Sequence, residues 1–204
     1  MTAPMVPAWA IQAIVQAGQR MDARGWVPAT AGNLSVRLAD GRIAITRSGT
    51  HKGFLDAAAI MVVNAEGAPE VAGDRPSAET GLHCQLYRLF PLAGAVLHGH
   101  SVPATVLSMA VTDPMLSVAG YELLKAFEGQ STHAATLTLP LFDNDQDITR
   151  LAAIAEPHLP ACRLGYLIRG HGAYVWGPDM PTTLARLEGL EFLLACELER
   201  RKLQ

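Results

Sequence analysis

A chain of 204 residues, half of them hydrophobic and 17% charged, is long enough to bury a core without disulfides or a structural metal and too apolar to stay disordered. Its 19 acidic and 16 basic residues leave a net charge of −3. That balance excludes recruitment of nucleic acid or an anionic membrane by a global field, so an anionic ligand has to be held locally.

The first residues lack the cationic start and long apolar core of a signal peptide, and no stretch approaches a membrane-spanning length, so a cytoplasmic protein is expected. Cys84, Cys162 and Cys196 share neither zinc-ligand nor redox spacing and read as buried thiols in a reducing compartment.

Apolar residues at Ala10, Ala13, Ile14, Ala17 and Met21 form a helical stripe over 8–24 that stops at Gly25, as a C-terminal cap would. "NLSVRL" and "RIAIT" alternate about "ADG", predicting a hairpin with Asp40-Gly41 in the turn. A third strand, "IMVVN", follows a loop containing "RSGTHKGF". Ser77 then reads as the N-cap of a helix running through Leu82, Leu86 and Leu89.

"AGAVLHGH" is predicted as a buried strand, and Ser101 with Pro103 opens the next helix. A loop through "TDPM" leads to a short helix in "GYELLKAFEG", a strand in "ATLTLPLF" and a helix in "DITRLAAIAEPHL". "GYLIRGHGAYVWG" gives two strands about the Gly170-His171-Gly172 bend. A final helix carries Leu187, Leu190, Leu194 and Leu198. Strands alternate with helices, yet the hairpins forbid an all-parallel sheet, so helices layered on a mixed sheet are expected. No repeat or linker divides the chain, which reads as one domain over 1–204.

Residues two apart in a strand face the same side, so His98 and His100 can aim both imidazoles at one point. Such a pair suits a metal, and it equally suits a hydrogen-bonded patch at a sheet edge. His171, between two glycines, is the candidate third ligand. His51, His83, His133 and His158 read as surface or core histidines.

Taken in order, "ATAGNLSV", "ITRSGTHKG", "RPSAET", "GAVLHGHS", "GYELLKAFEG" and "LIRGHGAYVWG" resemble the class II aldolase/adducin-like family. "SGTHKG", "YELLKAFEG" and "FDNDQDI" narrow the resemblance to its methionine-salvage dehydratases. The resemblance covers nearly the whole chain. It implies an α/β fold, a three-layer αβα sandwich around a central mixed, mostly antiparallel sheet, assembled as a homotetramer. It also implies one divalent metal per subunit, usually Zn2+ with other divalent ions possible, on His98, His100 and His171. Three neutral imidazoles leave coordination positions open, as a catalytic site requires.

The resemblance further implies that the phosphate of a ketose substrate is held by Gly32-Asn33 and Ser48-Gly49, with Ser77 beside them. Small residues expose backbone N–H groups there, Asn and Ser donate to phosphate oxygens, and Lys52 would add charge. Either loop alone would read as an ordinary turn. Glu122 matches the acid/base residue of the dehydratases and Glu79 the base of the aldolases. Taken alone, each would read as a helix glutamate, Glu79 favoured by the helix dipole and Glu122 solvated. The implied activity is dehydration of 5-methylthioribulose 1-phosphate to 5-methylthio-2,3-dioxopentyl phosphate. The alternatives are a sugar-phosphate aldolase or 4-epimerase and, more distantly, a non-catalytic adducin-like module.

Overall fold

The computed structural model describes residues 6–162 and 165–203; the start of the N-terminal segment, residues 1–5, in which no targeting signal was read, lies outside them. The first helix, α1 (Ala8–Ala23), buries Ala10, Ile14, Ala17, Gly18 and Met21, the spacing of one helical face. Arg24 caps it, and Gly25 follows at φ +71°.

The strands are β1 (Asn33–Arg37), β2 (Ile43–Thr46), β3 (Ile60–Val63), β4 (Ala95–Gly99), β5 (Met115–Ala119), β6 (Thr136–Phe142), β7 (Tyr166–Ile168) and β8 (Gly172–Gly177). They form one sheet in the order β3-β2-β1-β4-β8-β7-β6-β5. Every pairing is antiparallel except β6 with β7. The remaining helices are α2 (Thr80–Leu89), α3 (Val102–Ala110), α4 (Ile148–Ala155) and α5 (Met180–Lys202).

Two cores flank the sheet. On one face Leu34, Leu97 and Val175 pack with Ile14 of α1, Leu107 of α3 and Leu190 of α5. On the other, Ile45, Val96, Tyr166 and Tyr174 pack with Leu82 and Leu86 of α2 and Leu151 of α4. Alternation along each strand supplies both faces, which gives the expected αβα layering. Among the described residues no helix is long and apolar enough to cross a membrane.

The short helix expected in "GYELLKAFEG" is present as a 3-10 helix, Glu122–Ala126. Three local expectations are corrected. Residues 115–119, passed over as the continuation of a loop, form the edge strand β5 with an alternating burial pattern. Ser77 is not the N-cap of α2: Glu79 holds that position, and the Ser77 hydroxyl accepts instead from Asn33 Nδ2 at 2.9 Å. Cys84 is buried, but Cys162 and Cys196 are only half-buried, and all three are free thiols.

At Gly172 a Cβ would lie 2.0 Å from the carbonyl oxygen of Gly99 and 3.2 Å from His98 Cε1. Backbone on the facing strand cannot yield as a side chain would. Gly172→Ala is therefore expected to cost about 1–3 kcal/mol through overpacking, read as a lower urea midpoint. A midpoint equal to the parent's would show that β8 and β4 tolerate separation.

Candidate metal centre and active site

His98 lies within β4 and is fully buried, while His100 stands one residue past the strand end. Their rings share a face, with centroids 4.5 Å apart. β8 runs antiparallel to β4 with Gly99 opposite Ala173, which brings the β7–β8 turn to the same end of the sheet. His171 sits in that turn, its ring 5.0 Å from that of His98 and 4.5 Å from that of His100. Glu79 arrives from the start of α2, with Oε1 2.8 Å from His171 Nε2 and Oε2 3.3 Å from His98 Nε2. One ligand atom from each of these four residues lies within 4.8 Å of the others.

His98 Nδ1 is 3.0 Å from the carbonyl oxygen of Ala173. A carbonyl can only accept, so the proton is on Nδ1 and Nε2 carries the lone pair. That Nε2 is buried and, among the described residues, has no hydrogen-bond partner. Burial pushes His98 well below the ordinary imidazole range, and burial together with His171 brings His100 down to about 4. Both imidazoles are thus neutral at neutral pH, the form that metal binding requires. An orphaned buried lone pair beside two further imidazoles and a carboxylate fits a divalent cation.

Burial opposes ionisation of Glu79, but hydrogen bonds from His171 and Asn33 outweigh it and hold the carboxyl well below its usual range. Asn33 Nδ2 donates to Glu79 Oε2 at 2.7 Å, and the Tyr174 hydroxyl donates to the same oxygen at 3.1 Å.

Gly32 and Asn33 adjoin this group, because Asn33 pairs with His98 across β1 and β4. Gly32 has φ +77°, and a Cβ there would lie 2.7 Å from the His98 carbonyl oxygen. Ser48 and Gly49 are exposed in the turn after β2, where Ser48 N–H donates to Arg75 O at 3.1 Å and so ties this turn to the segment leading into Ser77. Lys52 is buried, and its Nζ donates to the carbonyls of Thr30 at 2.7 Å and Thr50 at 2.6 Å. It fastens the Gly32 loop to the Ser48 loop. Burial brings its ammonium down to about 8, against the opposing pull of Glu79.

Glu122 stands outside the group of four. Its side chain is 71% exposed, ion-paired with Lys125 and 4.0 Å from His133 Nδ1. The Lys125 hydrogen bond holds it below the ordinary carboxylate range. It lines an open cleft of about 1010 Å³ with Trp26, Tyr121 and Phe192.

A family model for the Class II Aldolase and Adducin N-terminal domain matches residues 12–198. The chain belongs to the class II aldolase/adducin family. Relatives named methylthioribulose-1-phosphate dehydratase include one from Granulibacter bethesdensis, 66% identical over 97% of this chain and 95% of its own. Another, from Gluconobacter oxydans, is 66% identical over 94% and 92%. The solved L-fuculose-1-phosphate aldolase of Thermus thermophilus superposes with a TM-score of 0.77 at 27% identity, covering 95% of each chain. Family and fold are those implied by the six ordered motifs.

In this class II aldolase/adducin chain the sequence reading passed over two residues that the structure brings to the site or next to it. Tyr174 faces Glu79 because it pairs with His98 in register, a relation that no local pattern announces. His83, read as an ordinary surface or core histidine, lies fully buried against Asn33.

Proposed function

We propose that the chain is a hydro-lyase that dehydrates 5-methylthioribulose 1-phosphate to 5-methylthio-2,3-dioxopentyl phosphate in methionine salvage, as a single-domain cytoplasmic homotetramer. The observation that carries this reading is the convergence of Glu79, His98, His100 and His171 in a chain whose relatives at 47–66% identity bear the dehydratase name. A non-catalytic adducin-like module would have no use for that convergence.

His98, His100 and His171 would hold the ion, zinc in our reading, with Glu79 beside them. When bound, such an ion supplies Lewis-acid polarisation of a substrate carbonyl. Backbone N–H groups about Gly32 and Gly49, with the Ser48 and Ser77 hydroxyls, bind the phosphate, while Lys52 keeps the two loops together and adds positive charge behind them. Asn33 turns to the phosphate only by leaving Glu79 or Ser77, since both its amide protons are engaged. Glu122 takes the proton from C3 and returns one to the departing C4 hydroxyl. The resulting enol tautomerises to the diketone. Glu122 is exposed and outside the ligand group, which fits delivery of its carboxylate to a neighbouring subunit's imidazoles.

The test is incubation of the purified, metal-analysed protein with 5-methylthioribulose 1-phosphate and with the unphosphorylated sugar, followed by mass spectrometry. The expected product of the phosphorylated sugar is lighter by one water. The free sugar should turn over poorly, since each lost charge-assisted hydrogen bond costs about 1.5–3 kcal/mol. Two cleavage fragments would assign the site to aldol chemistry, and an unchanged mass with inverted C4 would assign it to epimerisation.

A further inference from the structure

The site does not end at Glu79. Behind it, between the sheet and α2, runs a continuous chain of side-chain hydrogen bonds. Asn33 Nδ2 donates to Glu79 Oε2 and to Ser77 Oγ, and Asn33 Oδ1 meets His83 Nε2. His83 Nδ1 is 2.7 Å from Ser35 Oγ, which is 2.8 Å from the Tyr87 hydroxyl. Asn33, Ser35, His83 and Tyr87 are all buried. The spacing explains the fit: Glu79, His83 and Tyr87 are four apart along one helical face, while Asn33 and Ser35 are two apart along one strand face.

Chemistry at the Glu79 end fixes the direction of every link. An ionised carboxylate only accepts, so the amide nitrogen of Asn33 faces Glu79 and its oxygen faces His83. That oxygen also only accepts, so His83 carries its proton on Nε2. The lone pair left on Nδ1 takes the Ser35 hydroxyl proton, and Ser35 Oγ accepts from Tyr87. Burial brings His83 down to about 3, which leaves the neutral ring that this order needs.

We propose that His83 is a positioning residue for the ligand group: by donating Nε2–H to Asn33 Oδ1 it locks the amide in the one orientation that offers N–H to Glu79. The inference rests on reading Glu79 and the three histidines as a metal group, and it does not depend on which reaction that group serves. Without His83 the amide can turn its oxygen to the carboxylate, and Glu79 loses a donor while gaining a repulsive neighbour.

The test is zinc affinity, measured by competition with a chromogenic chelator on the intact protein. His83→Phe is expected to weaken binding about 10–100-fold, the range for partners that orient metal ligands. His83→Gln can place an N–H near the position of Nε2 and is expected to stay within a few-fold of the parent. In an Asn33→Ala background, His83→Phe should cost nothing further, because the residue acts through Asn33. Parental affinity in His83→Phe, or a full additional loss in the Asn33→Ala background, overturns the proposal. If His83→Phe does not fold, His83→Asn replaces it: its shorter amide mimics Nδ1, so affinity equal to that of His83→Gln overturns the proposal. A parent that binds no zinc overturns the metal-group reading as well, so the two failures are distinct.

Discussion

Glu122→Gln is expected to lower the turnover number by about 10²–10⁴-fold at saturating substrate, the usual contribution of a general acid–base group. The substitution keeps size and one hydrogen-bonding oxygen while removing the capacity to exchange a proton. Metal content should stay at the parental level, because Glu122 is outside the convergent group of Glu79, His98, His100 and His171. Its 71% exposure also means that little packing is lost. If the carboxylate serves a neighbouring subunit, coexpression of Glu122→Gln with His98→Ala should regenerate activity from two inactive chains. Random assortment pairs intact imidazoles with an intact glutamate in about a quarter of the sites. Absence of complementation would place Glu122 in its own subunit's site. The assignment fails if Glu122→Gln turns over within a few-fold of the parent while Glu79→Gln is dead, an outcome that would favour the aldolase-like base.

The second large effect concerns the metal. His98→Ala should weaken zinc binding by at least about 100-fold, more than the loss of an outer partner costs. Of the three proposed histidine ligands, His98 is the fully buried one whose tautomer is fixed by the Ala173 carbonyl. The fold should survive, because both cores are built from apolar contacts that need no ion. The local cost is the stacking of His98 on Tyr174, with centroids 4.0 Å apart. Elemental analysis after dialysis checks metal content, and a thermal melt checks the fold. Full metal retention in His98→Ala, His100→Ala and His171→Ala alike would remove these residues from the ligand set.

Local spacing alone carried a good part of the protein. The α1 stripe follows from a period near 3.6, the Asp40-Gly41 hairpin from alternation about a turn, and the shared face of His98 and His100 from a strand period of two. Motif order carried the family, since six short segments keep their sequence order however the chain folds. Register and layer packing decided the rest. Whether His171 reaches His98 depends on how β8 pairs with β4, and whether Glu79 reaches either depends on where α2 begins, neither of which is local. Lys52 illustrates the limit: its positive charge is legible in the sequence, but its role as a buried fastener is not, because only the fold presents the carbonyls of Thr30 and Thr50 to its Nζ. Tyr174 and His83 join the site or its border for the same reason: hydrogen bonds across 95 and 50 residues of sequence are set by tertiary packing, which spacing along the chain does not encode.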